Sequence, residues 1–319
     1  MEIYYAPMEG ITGYIQRNAA HHNFFGVDKY FTGFLAANEK GCFSSKEKND
    51  FSPENNKGIY LVPQLITNDV EDFHITVEKL KDYGYNEVNF NLGCPSRTVV
   101  TKYRGSGFLA KPDELDRYLD QVYRENNIQI SIKTRIGMSE VAEWERILDI
   151  YNQYPLKELI IHPRTQSDYY KNKPHMEAFE YAVHTSKCPI CYNGDIFNFQ
   201  DLKNVIERFP TVDKLMLGRG LLMNPGLAEM LETGKMPEKD RIRKYHDDIY
   251  EAYKKVSYGE HNVLFKMKEL WTYMICIFED SKKNAKKIKK AEKLWAYEAA
   301  VDELFAHCKL AGEYTFKLK

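Results

Sequence analysis

Apolar runs rich in β-branched and aromatic residues recur at positions 3–8, 29–35, 59–66, 87–93, 129–137, 158–165, 188–196 and 214–220. Their length and patterning predict eight strands. Their starts lie 26, 30, 28, 42, 29, 30 and 26 residues apart. Between them, residues 69–83, 112–125, 139–154 and 198–208 carry apolar positions at helical spacing. Strands alternating with helices at roughly 30 residues per unit predict a parallel sheet. Eight such units within about 220 residues match the length of an α/β (β/α)8 TIM barrel. A doubly wound sheet, the structural rival, favours a Gly-rich turn after its first strand. Here the first run ends in Ala6-Pro7-Met8-Glu9-Gly10.

The pattern changes near residue 236. From Asp240 onward there is no strand run, and residues 240–256, 262–278 and 285–308 all look helical. Pro237, shortly after Thr233-Gly234-Lys235, marks a boundary. The expected organisation is a catalytic barrel over 1–236 and an all-helical C-terminal domain over 237–319.

Side chains alternate across a strand, and barrels of this kind place their active sites at the C-terminal strand ends. In the fifth run Ile130, Ile132, Thr134 and Ile136 suit the helix-facing side, so Ser131, Lys133 and Arg135 point inward. The same parity turns His162 and Arg164 inward in the sixth run, Asn89 and Asn91 in the fourth, and Gln64 in the third. Buried cations are costly without a partner. Lys133, Arg135 and Arg164, converging with amides and a histidine and without acids on these runs, suit an anionic or carbonyl-rich ligand. The seventh run ends Asn193-Gly194-Asp195 and the eighth Gly218-Arg219-Gly220. Glycine lets backbone N–H groups approach a phosphate, and the loops after strands seven and eight are the common phosphate site of such barrels. Arg219 can add the matching charge. Cys94 sits in a Gly-Cys-Pro turn at the end of the fourth run. An ordinary thiol has a pKa of about 8.5, so it is mainly protonated at neutral pH and can serve as an acid, or as a nucleophile once ionised. Cys188 and Cys191 have no second pair to complete a zinc site and lie in a strand run, so they read as structural. The Gly105-Ser106-Gly107 segment formally fits a dinucleotide fingerprint but does not directly follow a strand.

Composition narrows the function classes. The 319 residues are 43% hydrophobic and 29% charged, which excludes a disordered chain. Basic and acidic residues number 45 and 46, so whole-chain charge is silent about a polyanionic partner. Its distribution is not. Residues 240–319 hold 17 basic and 13 acidic residues, and Lys282, Lys283, Lys286, Lys287, Lys289, Lys290 and Lys293 crowd one short stretch. Such a run is either a solvated helix face or a phosphate-binding patch. No run of about 18 apolar residues is present, so no membrane span is expected. The N-terminus has neither a basic n-region nor an apolar h-region, so no secretory signal is expected. The six cysteines then read as reduced thiols of a cytoplasmic protein.

Six motifs, APMEGIT at 6–12, NFNLGCPS at 89–96, IKTRIG at 132–137, IHPRT at 161–165, YNGDI at 192–196 and LGRG at 217–220, resemble in order and spacing the tRNA-dihydrouridine synthases. The resemblance implies FMN bound in the barrel, NADPH as reductant, and reduction of the C5=C6 bond of particular tRNA uridines. It implies that Pro7, Met8 and Glu9 line the flavin ring. Gln64 and Lys133 would contact that ring, with His162 near it. Asn193, Gly194, Asp195, Gly218 and Arg219 would hold ribityl and phosphate. Cys94 would be the general acid, and Asn91 and Arg135 would face the uracil. Arg164, Arg97, Lys102 and Arg104, with Lys286 and Lys290 of the tail, would contact the tRNA. A metal-free monomer is expected. The chain departs from the family pattern at Leu92 and Pro163, neither a reacting group. The rivals are a flavoenzyme reducing or oxidising a free pyrimidine acid, a lyase or aldolase using Lys133 as a Schiff-base amine, and a tRNA-binding barrel without turnover.

Overall fold

All eight expected strands form in the structure, a computed structural model that describes residues 1–125, 127–312, 314 and 316. They are β1 (Glu2–Tyr5), β2 (Lys29–Ala36), β3 (Leu61–Ile66), β4 (Glu87–Leu92), β5 (Gln129–Arg135), β6 (Leu159–His162), β7 (Ile190–Tyr192) and β8 (Lys214–Leu217). They close into a parallel barrel in sequence order. The intervening helices are α1 (Tyr14–Asn23), α2 (Ser45–Phe51), α3 (Val70–Asp82), α4 (Arg97–Val100), α5 (Pro112–Glu125), α6 (Glu143–Tyr151), α7 (Met176–Thr185) and α8 (Phe199–Arg208). After β8 come α9 (Arg219–Met223), α10 (Leu227–Thr233), α11 (Lys239–Val256), α12 (Glu260–Met274), α13 (Lys282–Lys290) and α14 (Leu294–His307). No helix among the described residues is long and apolar enough to cross a membrane.

Strand parity sorts the barrel interior into layers. At the N-terminal ends, the Lys29 ammonium lies 2.7 Å from Glu158 and 3.3 Å from Glu87. Glu87 also accepts from Lys157 at 2.6 Å and from the Tyr60 hydroxyl at 2.7 Å, so these buried charges are paired. Above them Tyr4, Ala6, Phe31, Val62, Ile160, Cys191 and Met216 form a buried apolar cluster. Toward the C-terminal ends the inward positions turn polar. Thr134, one residue from Lys133, faces the other way and lies 2.9 Å from the Tyr151 hydroxyl of α6. That contact verifies the parity that sends Lys133 inward.

The described chain falls into two compact units. The first is Met1–Pro7, Asp28–Gly194 and Ile206–Met216; the second is Met8–Val27, Asp195–Val205 and Leu217–Lys319. The pattern change at 236 is therefore not the edge of either unit. The reason lies inside the second unit, where α1 binds α11. Gln16 donates to the Tyr245 hydroxyl at 2.8 Å, Asn23 donates to Asp248 at 2.7 Å, and Arg241 donates to the Asn23 carbonyl at 2.6 Å.

One expected helix, residues 285–308, is two. It breaks at Ala291 and Lys293, both in extended conformation. Ile288 and Tyr297, nine positions apart, are both buried. On a continuous helix they would point about 180° apart, since each residue turns about 100°. The break lets both side chains reach apolar surroundings.

Candidate active site

A chain of amides runs up the barrel interior. Asn89 donates to Ser131 Oγ at 2.9 Å, Gln64 donates to Asn89 Oδ1 at 2.8 Å, and Asn91 donates to Gln64 Oε1 at 2.7 Å. Asn91 Oδ1 then accepts from the backbone N–H groups of Gly93 and Cys94, at 3.0 and 2.9 Å. Asn91 is thus the clip that sets the Cys94 turn. The Cys94 carbonyl accepts from both the backbone and the hydroxyl of Ser106, at 3.1 and 2.8 Å. Gly105 makes that approach possible. Its φ is +55°, and a Cβ there would lie 2.9 Å from the Cys94 carbonyl oxygen. The Gly105-Ser106-Gly107 segment is therefore the floor beneath Cys94, a role that no local signal in the sequence announces. The Cys94 side chain itself is only partly buried.

Lys133 pairs in register with Asn91 on one side and Ile160 on the other. Among the described residues its ammonium has no hydrogen-bond or ion-pair partner. Burial first, and the Arg135 cation second, lower its pKa to about 8. Among the described residues it is the inward cation of this rim left without a protein ligand.

The two arginines are differently placed from the expectation. Arg135 is 1% exposed, and it donates to the carbonyls of Gly93, Thr165 and Tyr169 at 3.0, 2.7 and 3.0 Å. Its guanidinium ties the loop after β4 to the loop after β6 and does not present an open fork to a base. Arg164, also 1% exposed, donates to the Asn172 carbonyl at 2.7 Å and lies 2.9 Å from His162 Nε2. Arginine can only donate, so His162 Nε2 accepts and the imidazole proton sits on Nδ1. Both arginines shape the rim from within.

The loop after β6 has a further organiser that the sequence reading passed over. Asp168 Oδ2 accepts from the backbone and hydroxyl of Thr165, both at 2.8 Å, and lies 3.0 Å from His175 Nε2. Asn172 donates to Asp168 Oδ1. Burial raises the Asp168 pKa, but these hydrogen bonds outweigh it and bring the carboxyl down to about 2. The detectable signal was Thr165-x-x-Asp168, a short side-chain-to-backbone turn motif.

Elsewhere on the barrel unit, Asn193 donates to the Met216 carbonyl at 2.7 Å. A Cβ on Gly194 would lie 2.0 Å from the Tyr192 hydroxyl, so that glycine is required by tyrosine packing before any ligand is considered. Arg97 and Lys102 are exposed on the Cys94 loop and have no ion pair among the described residues. Arg104 does not join them, because it donates to Asn68 Oδ1 at 3.0 Å and lies 3.9 Å from Asp72. It anchors the loop.

In the second unit, Met8 and Glu9 belong to a turn closed by Thr12, whose hydroxyl accepts from the Met8 N–H at 2.7 Å. Lys266 of α12 donates to the Gly10 carbonyl of that turn at 2.6 Å. Arg219 is paired with Asp195 and lies over the Phe197 and Phe316 rings, 5.2 and 5.3 Å from their centroids. The two residues expected to share a phosphate thus hold each other. Lys286 and Lys290 are exposed on α13 without ion pairs among the described residues, whereas Lys287 is paired with Glu303. Among the described residues no group of three metal-ligating side chains occurs. The six cysteines form no disulfide with one another.

A family model described as dihydrouridine synthase (Dus) matches residues 4–305. The chain is similar to tRNA-dihydrouridine synthase B of Pasteurella multocida (strain Pm70), 28% identical over 241 residues, covering 75% of this chain and 71% of that protein. It is also similar to a probable tRNA-dihydrouridine synthase of Staphylococcus aureus (strain Mu50), 27% identical over 262 residues, covering 78% and 77% of the two chains. Among solved structures, morphinone reductase in complex with tetrahydroNAD superposes with a TM-score of 0.52 at 13% identity, over 76% of this chain and 90% of that one. Histamine dehydrogenase from Rhizobium sp. 4-9 superposes with a TM-score of 0.53 at 10% identity, over 77% and 49%. At such identities the structural likeness speaks for the barrel alone.

Proposed function

The chain belongs to the dihydrouridine synthase family of flavin-dependent oxidoreductases, and from that premise we propose that it reduces the C5=C6 bond of uridines in tRNA, with FMN as cofactor and NADPH as reductant. The observation that carries this reading is the unpartnered Lys133 ammonium beside the clipped Cys94 turn. An inward cation with no protein ligand suits an electron-rich ring edge, and the pyrimidine side of a flavin is such an edge. The residues present therefore fit the cofactor.

Lys133 and Gln64 would hold the ring, with His162 oriented beside it by Arg164. Asn193 and Gly194 would meet the ribityl chain. The family resemblance adds Pro7, Met8, Glu9, Asp195, Gly218 and Arg219. When bound, FMN supplies the hydride that C6 of the uracil receives. Cys94 Sγ gives its proton to C5, and the amides held by Asn91 keep the thiol turn in one place while it does so. Lys133 stabilises the negative charge that develops on the uracil carbonyl oxygens. A base stacked within folded RNA cannot enter a barrel, so the uridine is turned out of its stack. Arg97 and Lys102, with the α13 lysines including Lys286 and Lys290, would meet flanking phosphates.

The test is direct. The purified protein is loaded with FMN, reduced anaerobically with NADPH and mixed with tRNA from cells lacking the gene. Flavin reoxidation together with uridines two hydrogens heavier supports the proposal. Flavin that stays reduced in the presence of this tRNA refutes it. Cys94→Ala is expected to keep flavin and tRNA binding and to lose most turnover, and full turnover in that variant removes its role as acid.

A further inference from the structure

Three non-glycine residues among those described have positive φ: Tyr103 at +51°, Tyr169 at +49° and Asp280 at +47°. Two of them are tyrosines on the loops after β4 and β6, the loops that carry Cys94 and Asp168. This is the left-handed region, where glycine is at ease and a bulky side chain is not. Neither ring compensates by packing inward. Tyr103 is 47% and Tyr169 42% exposed, and neither hydroxyl has a hydrogen-bond partner among the described residues.

The surrounding structure holds each tyrosine in this conformation. The Tyr169 carbonyl accepts from Arg135 at 3.0 Å, and its N–H donates to the Gln166 carbonyl at 3.1 Å. The next residue, Tyr170, turns inward, its ring centroid 5.7 Å from that of His162. Around Tyr103, Asn68 donates to the Lys102 carbonyl at 3.1 Å and accepts from Arg104 at 3.0 Å. Lys111 lies 4.1 Å from the Tyr103 ring centroid. The two loops are joined through Arg135, which donates to the Gly93 carbonyl at 3.0 Å. Each tyrosine is flanked by exposed cations with no ion pair among the described residues, Arg97 and Lys102 for one, Lys171 and Lys173 for the other.

Rigidly held aromatic faces bordered by unpaired cations are the makeup of a surface that takes unstacked bases and their phosphates. We propose that Tyr103 and Tyr169 are stacking platforms for unpaired bases of the RNA substrate near the extruded uridine, with Arg97, Lys102, Lys171 and Lys173 on the adjoining phosphates. This rests on the proposed function and adds the residues that recognise the RNA around the reacting base.

The informative substitution is glycine, because it relieves the backbone while removing the ring. Tyr103→Gly and Tyr169→Gly are compared with Tyr103→Phe and Tyr169→Phe for thermal melting and for binding of an unmodified tRNA transcript. Each glycine variant is expected to melt no lower than the parent and to bind the transcript about tenfold more weakly. Each phenylalanine variant is expected to bind like the parent. Parent-like binding by both glycine variants overturns the inference, as does a loss by phenylalanine equal to that by glycine, which would assign the effect to the hydroxyl. A glycine variant that melts lower and binds normally makes that tyrosine structural. Binding is read without turnover, so a protein that binds the transcript and fails to reduce it refutes the proposed reaction while still testing the platforms.

Discussion

Replacing Lys133 by methionine in the cofactor-free protein is expected to make it more stable. Methionine follows a similar path and carries no charge to desolvate. The Lys133 pKa falls from 10.5 to about 8 in the folded state. At 1.36 kcal/mol per unit, holding the ammonium charged inside the barrel costs about 3 kcal/mol. For a chain of this size that corresponds to a rise in melting temperature on the order of 5 °C. The sign follows from proton binding. Between about 8 and 10.5 the unfolded chain binds more protons at this site than the folded one, so wild-type stability rises with pH across that window. The penalty is full below about pH 8 and gone above 10.5, and the methionine variant should keep its whole advantage near pH 7 and lose it across the same interval. Melting curves of both proteins without FMN, taken from neutral to alkaline pH, read this directly. Adding FMN should reverse the order, because ligand held by Lys133 stabilises only the wild type strongly. A methionine variant that melts lower near pH 7, with an offset that does not change through the window, would refute the idea of an unpartnered cation kept for a ligand.

Asn91→Leu should lower kcat at least tenfold and cost about 1–3 kcal/mol of stability, since two backbone amides and Gln64 Oε1 lose their partner. Asn91→Asp keeps the acceptor for Gly93 and Cys94 and should restore much of kcat, and equal kcat in the two variants would exclude the clip. Lys286→Gln with Lys290→Gln should weaken tRNA binding and flatten the log–log salt dependence by roughly 0.7–0.9 per lysine. An unchanged slope returns α13 to a solvated face. The Asp168 carboxyl, lowered from 3.8 to about 2, contributes about 2 kcal/mol that is present above pH 3.8 and lost as pH falls toward 2. Denaturant titrations in acid should show that loss in the wild type and not in Asp168→Asn.

The alternation of short apolar runs with helical stretches was enough to specify the barrel, because each unit must bury one face and eight such units close on themselves. Parity within β5 was equally legible, since period-two alternation is local. Thr134 against Tyr151 and Lys133 inside the barrel both follow from it. What local pattern could not decide is which polar side chains remain available. Arg135 and Arg164 read as open cations, yet Arg135 is consumed by carbonyls of loops that the closed barrel brings to it, and Arg164 by a carbonyl of its own loop once that loop folds back. Arg219 and Asp195 read as two ligands for one phosphate, yet their charges are close enough to pair with each other. The helix break at Ala291 was invisible for the same reason, as it depends on where the cores lie and not on propensity. Sequence determines the backbone period and the inward or outward sense of each residue, because both arise from neighbours along the chain. Tertiary structure decides which groups are satisfied, because many hydrogen-bond partners come from segments distant in sequence: Gln64 on a neighbouring strand fixes the Asn91 amide that clips the Cys94 turn, and Lys133 is left without a protein partner among the described residues.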